Sequence, residues 1–164
     1  MNTERYRVRV GRDHLVFCSG HFISFAGHQC ERLHGHNYRA AVEVEGPLGA
    51  DWYVVDFVAL VACAKEITGE LDHRMLLATR NPVIQVEEQP TRVRVTYQER
   101  EWVFPREDCV LLPIENTTAE LLARYIADRL LALLKERHGI LPERMLVEVE
   151  ENVGTSATFE TRTN

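Results

Sequence analysis

The chain has 164 residues, of which 45% are hydrophobic and 27% charged, and its formal net charge is −6. This is ordinary globular usage, which excludes intrinsic disorder, and no apolar run approaches the roughly 20 residues of a membrane span. The acidic balance and the lack of any Lys/Arg block exclude nucleic acid as a polyanionic partner but leave room for a small anion held by local arginines.

Taken in chain order, Tyr6, Val8, Val10, Leu15 and Phe17 alternate loosely around Gly11-Arg12-Asp13, which predicts one or two strands. His21 follows where the strand gives way to a non-periodic loop over Ser19 to Gln29. Tyr38, Ala40, Val42 and Val44 alternate with Arg39, Ala41, Glu43 and Glu45 as a half-buried antiparallel strand does, and Gly46-Pro47-Leu48-Gly49 ends it. Asp56 is an N-cap for a helix carrying Phe57, Leu60, Val61, Ala64 and Ile67, closed by Gly69; Leu71-Asp72-His73-Arg74 then reads as a loop.

Residues 82 to 114 read as strand material, with a hairpin turn at Tyr97-Gln98-Glu99-Arg100-Glu101. Thr117-Thr118-Ala119-Glu120 is a capping box, and Leu121, Leu122, Tyr125, Ile126, Leu130, Leu133 and Leu134 form the apolar stripe of a second helix. Gly139 caps that helix and Pro142 stops it. A strand from Met145 to Val149 runs into Glu150-Glu151-Asn152, and Val153 to Phe159 offers a last one. With no repeat and no dividing linker, the order predicts a single α+β domain over residues 1–164. The N-terminus begins no signal peptide, so a cytoplasmic protein is expected.

Cys30-Glu31-Arg32-Leu33-His34-Gly35-His36 packs one thiol and two imidazoles into seven residues, with His21 upstream. Alternate side chains of an extended chain share a face, so His34 and His36 point the same way, and Gly35 between them leaves room for what they bind. Three histidines without a fourth protein ligand is the pattern of a catalytic zinc site, whose open position takes water or substrate. His21, His34 and His36 are the ligand set; His14 and His28 compete on position, and His138 has a role at a helix C-terminus already.

The four cysteines have no CxxC pair, which suits neither a zinc ribbon nor a disulfide framework. Cys18, Cys63 and Cys109 lie in apolar surroundings, and Cys30 lies among polar neighbours. Spacing leaves Cys30 open between a fourth zinc ligand and a thiol made acidic by the nearby cation, serving as base or nucleophile. Asp72-His73 sets a carboxylate beside an imidazole in a polar loop, a pair that need not touch and that also reads as a plain turn. The capping box accounts for Glu120, and a solvated strand end accounts for Glu150 and Glu151 unless one of them lines a pocket.

The run Cys30-x-x-x-His34-Gly35-His36-Asn37-Tyr38, with His21 in a Phe17-x-Ser19-x-His21 setting, resembles the zinc-site signature of the 6-pyruvoyl-tetrahydropterin synthase family. Val54-Val55-Asp56-Phe57, Leu71-Asp72-His73, Thr117-Thr118-Ala119-Glu120, and Glu151 eight residues before Phe159 resemble its other landmarks, in order. The four-residue step from Cys30 to His34 looks more like the 6-carboxy-tetrahydropterin synthases of the bacterial queuosine pathway.

The resemblance implies a T-fold (tunnelling fold) subunit: an antiparallel four-stranded sheet with two helices on one face. It implies a homohexamer built as a dimer of trimers, with active sites between subunits. It also implies that His21, His34 and His36 bind Zn2+, that Cys30 is the catalytic base completed by Asp72 and His73, and that Glu151 anchors the pterin. The implied reaction converts 7,8-dihydroneopterin triphosphate to 6-carboxy-5,6,7,8-tetrahydropterin with loss of acetaldehyde and triphosphate.

Pyruvoyl-type elimination is the alternative within the family, as is aldolase-like cleavage, whose branch carries a glutamate around the cysteine position, so that Cys30 itself disfavours it. A zinc- or pterin-binding module is the alternative outside enzymes. Three departures stand out: Pro82 to Pro113 is long enough to add a β-hairpin, Thr117 replaces a proline, and Asn152 replaces a threonine.

Overall fold

The computed structural model describes residues 4–163. Strands β1 (Tyr6–Val10), β2 (Val16–His21), β3 (Ser24–Phe25), β4 (Gln29–Cys30) and β5 (His34–Gly46) precede helix α1 (Phe57–Leu71). Then come β6 (Arg74–Ala78), β7 (Gln85–Glu88), β8 (Arg92–Tyr97), β9 (Arg100–Pro105), β10 (Cys109–Leu112), helix α2 (Ala119–His138), β11 (Arg144–Asn152) and β12 (Thr155–Arg162).

The main sheet has the order β10-β6-β2-β5-β11-β12, and β1 joins it by pairing with the C-terminal half of β5. Most of these junctions are antiparallel, but β6 runs parallel to both β2 and β10. The α+β class holds, while the expected antiparallel four-stranded sheet becomes a mixed sheet of seven strands. The reason is β6, which starts at Arg74, the last residue of the expected loop, and runs through residues given no element from sequence: α1 carries the chain back over the sheet before β6 begins, and a strand reached through such a crossover can run parallel to its neighbour.

One face of the sheet makes the core. Phe17 on β2, Tyr38, Ala40, Val42 and Val44 on β5, and Met145, Val147 and Val149 on β11 pack against Leu60, Ala64, Ile67 and Leu71 of α1 and Leu122, Ile126, Leu130 and Leu134 of α2. Both helices therefore cover this face, as expected. The opposite face is charged, with Arg144 bridging Glu45 and Glu160 across β5, β11 and β12.

Helix ends follow their local chemistry with two exceptions. Asp56 caps α1 by accepting the Val58 amide at 2.8 Å, and Gly139 closes α2 in the left-handed region at φ 65°. Gly69, however, lies inside α1, which ends at Leu71 because Asp72 is extended. The capping box does not form either: Thr118 is the N-cap without a side-chain bond, and the Thr117 hydroxyl is used elsewhere.

The added segment is larger than the hairpin expected over residues 83–113. Strands β7, β8 and β9 form a separate three-stranded antiparallel meander, turned at Gln98-Glu99, while β10 returns to the main sheet. The meander has its own small core, in which Val93 and Val95 join Phe22, Met75, Leu77, Ile84 and Cys109.

Candidate active site

The site grows out of the core face. Along β5 the inward positions run Val44, Val42, Ala40, Tyr38 and then His36 and His34; along β2 they run Phe17, Ser19 and His21. In register, His21 stands opposite His34 and Ser19 opposite His36. The period-two logic that buries the apolar residues thus delivers three imidazoles to one spot where the apolar stripe ends. Their ligand atoms all lie within 4.8 Å of one another, and the rings meet edge to face at 4.7 to 5.2 Å.

Each imidazole is oriented from outside. His21 Nδ1 lies 3.0 Å from the carbonyl oxygen of Thr117 and 3.2 Å from its hydroxyl, His34 Nδ1 lies 2.8 Å from the carbonyl of Arg32, and His36 Nδ1 lies 3.3 Å from Oδ1 of Asn152. A carbonyl oxygen only accepts, so each Nδ1 carries the proton and each Nε2 turns a lone pair inward.

The centre is consequently crowded with acceptors. His21 Nε2 and His34 Nε2 are 3.2 Å apart, and Glu151 Oε1 is 3.2 Å from His21 Nε2 and 3.3 Å from His36 Nε2. His36 Nε2 is buried without a hydrogen-bond partner, since its approach to Glu151 brings two acceptors together. Burial, with His34 adding to it, pushes His21 down to about 4, which keeps its lone pair free at neutral pH. Lone pairs converging without protons between them call for a cation, and bonds of about 2.0–2.1 Å to a tetrahedral zinc set nitrogens about 3.3 Å apart, close to the 3.2 Å between His21 and His34. The residues fit a divalent metal.

Glu151 reaches this centre because β11 carries a bulge between Glu150 and Asn152, and a bulge re-aims a side chain. Tyr38 donates its hydroxyl to Glu151 Oε1 at 3.4 Å. The same glutamate lines a cleft of about 320 Å³ with Ile23, Thr118, Ala119, Glu120, Thr155, Ser156 and Ala157. Glu120, free of the capping box, thus borders the site. Glu150 is buried and accepts the Gly154 amide at 3.1 Å.

Cys30 is half-buried and stands outside the histidine cluster. Burial pushes its thiol up, and the charge of Arg100 pulls the other way. Asp72 and His73 do touch, at 2.9 Å, while the Asp72 carboxylate also accepts the Cys18 amide at 2.7 Å, which holds it below the usual carboxylate range. Among the described residues, no hydrogen bond or ion pair joins this pair to Cys30 or to the three histidines. His14, His28 and His138 are exposed and outside the cluster.

Gly35 has a different reason from the one expected. A Cβ there would come within 3.1 Å of the Ser19 carbonyl oxygen, so the glycine permits close approach of β5 to β2 instead of leaving space for a ligand. Sequence reasoning missed the positions that aim the imidazoles, namely the Arg32 and Thr117 carbonyls and Asn152; only the departure of Thr117 and Asn152 from the family pattern hinted at them.

The profile of the family described as 6-pyruvoyl tetrahydropterin synthase matches residues 12–162. The chain belongs to this family. A protein of Methanocaldococcus jannaschii named as a candidate 6-carboxy-5,6,7,8-tetrahydropterin synthase is 33% identical over 146 residues, covering 88% of this chain and 89% of its own length. One of Pyrococcus horikoshii, named alike, is 33% identical over 115 residues, 70% of this chain and 68% of its own.

Among solved structures, the 6-pyruvoyltetrahydropterin synthase of Plasmodium vivax superposes with a TM-score of 0.88 at 29% identity over 98% of this chain and 99% of its own. That of Plasmodium falciparum gives 0.86 at 29% over 98% and 100%. The fold is the T-fold, and the chain is an enzyme of the lyase class acting in pterin chemistry. No helix among the described residues is long and apolar enough to cross a membrane.

Proposed function

We propose that this enzyme is a zinc-dependent 6-carboxy-5,6,7,8-tetrahydropterin synthase of a queuosine-type, 7-deazapurine pathway. Its substrate is 7,8-dihydroneopterin triphosphate, and the balanced reaction consumes one water and releases acetaldehyde and triphosphate. The observation that carries this reading is the convergence of three Nε2 lone pairs, each fixed by a bond at Nδ1, beside a cleft lined by Glu151. The names of the archaeal relatives support the carboxy product.

His21, His34 and His36 would hold the zinc. When bound, the metal polarises the hydroxyl groups of the substrate side chain and makes their protons easier to remove. Glu151 accepts the amino and ring N–H groups of the pterin and so fixes the ring in the cleft. Cys30 takes and returns the side-chain proton. Asp72 and His73 serve proton transfer across a subunit boundary, since among the described residues no hydrogen bond or ion pair links them to Cys30. The assembly in this reading is a homohexamer, a dimer of trimers of a single T-fold domain, and it works in the cytoplasm. Expulsion of triphosphate is assisted by local cations.

The test is turnover of 7,8-dihydroneopterin triphosphate by zinc-loaded protein, with products identified by mass. Acetaldehyde with carboxy-pterin supports the reading. Pyruvoyl-pterin, or the absence of any pterin product, overturns it. A second reading has one observation behind it: a Plasmodium vivax relative is described with a glutamate as its catalytic residue, and here Glu31 adjoins Cys30, with a carboxylate oxygen 3.8 Å from His34 Nδ1. Under that reading hydroxymethyl-pterin is the product, and exchange of Glu31 for glutamine removes it.

A further inference from the structure

The meander β7–β9 packs directly on the segment that carries Cys30. Tyr97 at the end of β8 donates its hydroxyl to the carbonyl of His28 at 2.5 Å, and Trp102 on β9 stacks on Phe22 with ring centroids 4.8 Å apart. Arg100, the first residue of β9, lies between these two aromatic rings, its guanidinium carbon 5.1 Å from the Tyr97 centroid and 5.0 Å from that of Trp102. From there it donates to the carbonyl of Cys30 at 2.8 Å and to that of Glu31 at 3.5 Å.

We propose that Arg100 is a positioning residue for Cys30: the meander presents its guanidinium, pre-ordered between two rings, to fix the main chain at Cys30 and set a positive charge beside the thiol. This rests on the reading above that Cys30 carries the proton. Two aromatic faces restrict the guanidinium to one plane, so its fork meets the carbonyls without further ordering. The charged groups facing the sulfur are Arg100 from the meander and Glu31 from its own strand connection, and the two oppose each other. The thiol, which donates to the Glu31 carbonyl at 3.4 Å, is lifted by burial, and the charge of Arg100 is the counterweight. The added segment is then part of the catalytic apparatus.

The experiment follows iodoacetamide alkylation of Cys30 against pH by peptide mass mapping, in zinc-loaded and metal-free protein, for wild type, R100M and R100K. Loss of the charge in R100M should raise the pH midpoint by about one unit, roughly a tenfold fall in the neutral-pH rate. R100K should recover most of that midpoint but lower kcat with KM little changed, because an ammonium lacks the fork. A role in packing alone predicts lower thermal stability with a midpoint that matches wild type in both variants, and that result overturns the proposal. If R100M does not fold, R100Q serves the same comparison. Full turnover by C30S would overturn the functional reading for Cys30 and leave the alkylation result standing, so the two failures are distinguishable.

Discussion

The Nδ1 of His21 rests 3.0 Å from the carbonyl oxygen of Thr117, a residue 96 positions later in the chain, at the threshold of α2. This contact ties the start of a helix to the centre of the site. It also makes Thr117 a two-way clamp, since its hydroxyl donates to the carbonyl of Phe22 while accepting from His21. Exchange of Thr117 for valine keeps the shape and the main-chain carbonyl but removes the hydroxyl. Zinc affinity should fall about tenfold, the low end of what a lost orienting partner costs. The metal-free protein should lose about 1–2 kcal/mol from the unsatisfied buried carbonyl. Chelator competition and urea unfolding measure the two separately.

Glu151 approaches the histidines and also borders the cleft. In E151Q the pterin should bind about 10- to 100-fold more weakly, the equivalent of one or two charge-assisted hydrogen bonds, while zinc content stays at wild type. Pterin titration by fluorescence and metal analysis on the same sample decide it. Loss of zinc with unchanged pterin affinity would make Glu151 a metal ligand instead of an anchor.

Gly35 pairs with Gly20 across β5 and β2. A methyl group 3.1 Å from the Ser19 carbonyl oxygen forces the strands apart between His34 and His36. G35A should destabilise the chain by about 1–3 kcal/mol, as overpacking does, and should weaken zinc binding as well. Thermal unfolding with and without zinc checks this, and a fully stable, fully zinc-loaded G35A would refute the close-approach explanation.

Arg144 holds Glu45 at 2.9 Å and Glu160 at 2.8 Å on the charged face. This pairing lowers Glu160 from an ordinary 4.5 to about 2. A carboxylate with a depressed folded pKa contributes stability that is present above the unfolded value and lost as pH falls towards the folded one. The loss attributable to Glu160 should therefore fall between pH 4.5 and about 2. E160Q should show a shallower decline over that window in urea midpoints taken against pH, and a slope equal to wild type would contradict it.

Several features were legible in the residues alone. Alternation along Tyr38 to Val44 gave the central strand and its buried face, and the same period-two rule put His34 and His36 together because it depends only on the local backbone. Helical spacing located both helices, and Asp56 and Gly139 marked ends that local chemistry enforces. Where long-range contacts compete with local preference, local reading failed: the Thr117 hydroxyl serves His21 and Phe22 instead of capping α2.

The three-histidine set was therefore determined by sequence, as was the family, through residue types at fixed spacing. Only the tertiary structure decided what aims those side chains. The bulge that turns Glu151 inward exists because β12 pairs with β11 out of step at that point, and the guanidinium beside Cys30 comes from a meander 70 residues away. Spacing along a chain constrains which side chains share a face; which carbonyl, amide or charge meets them is settled only by how separate elements pack.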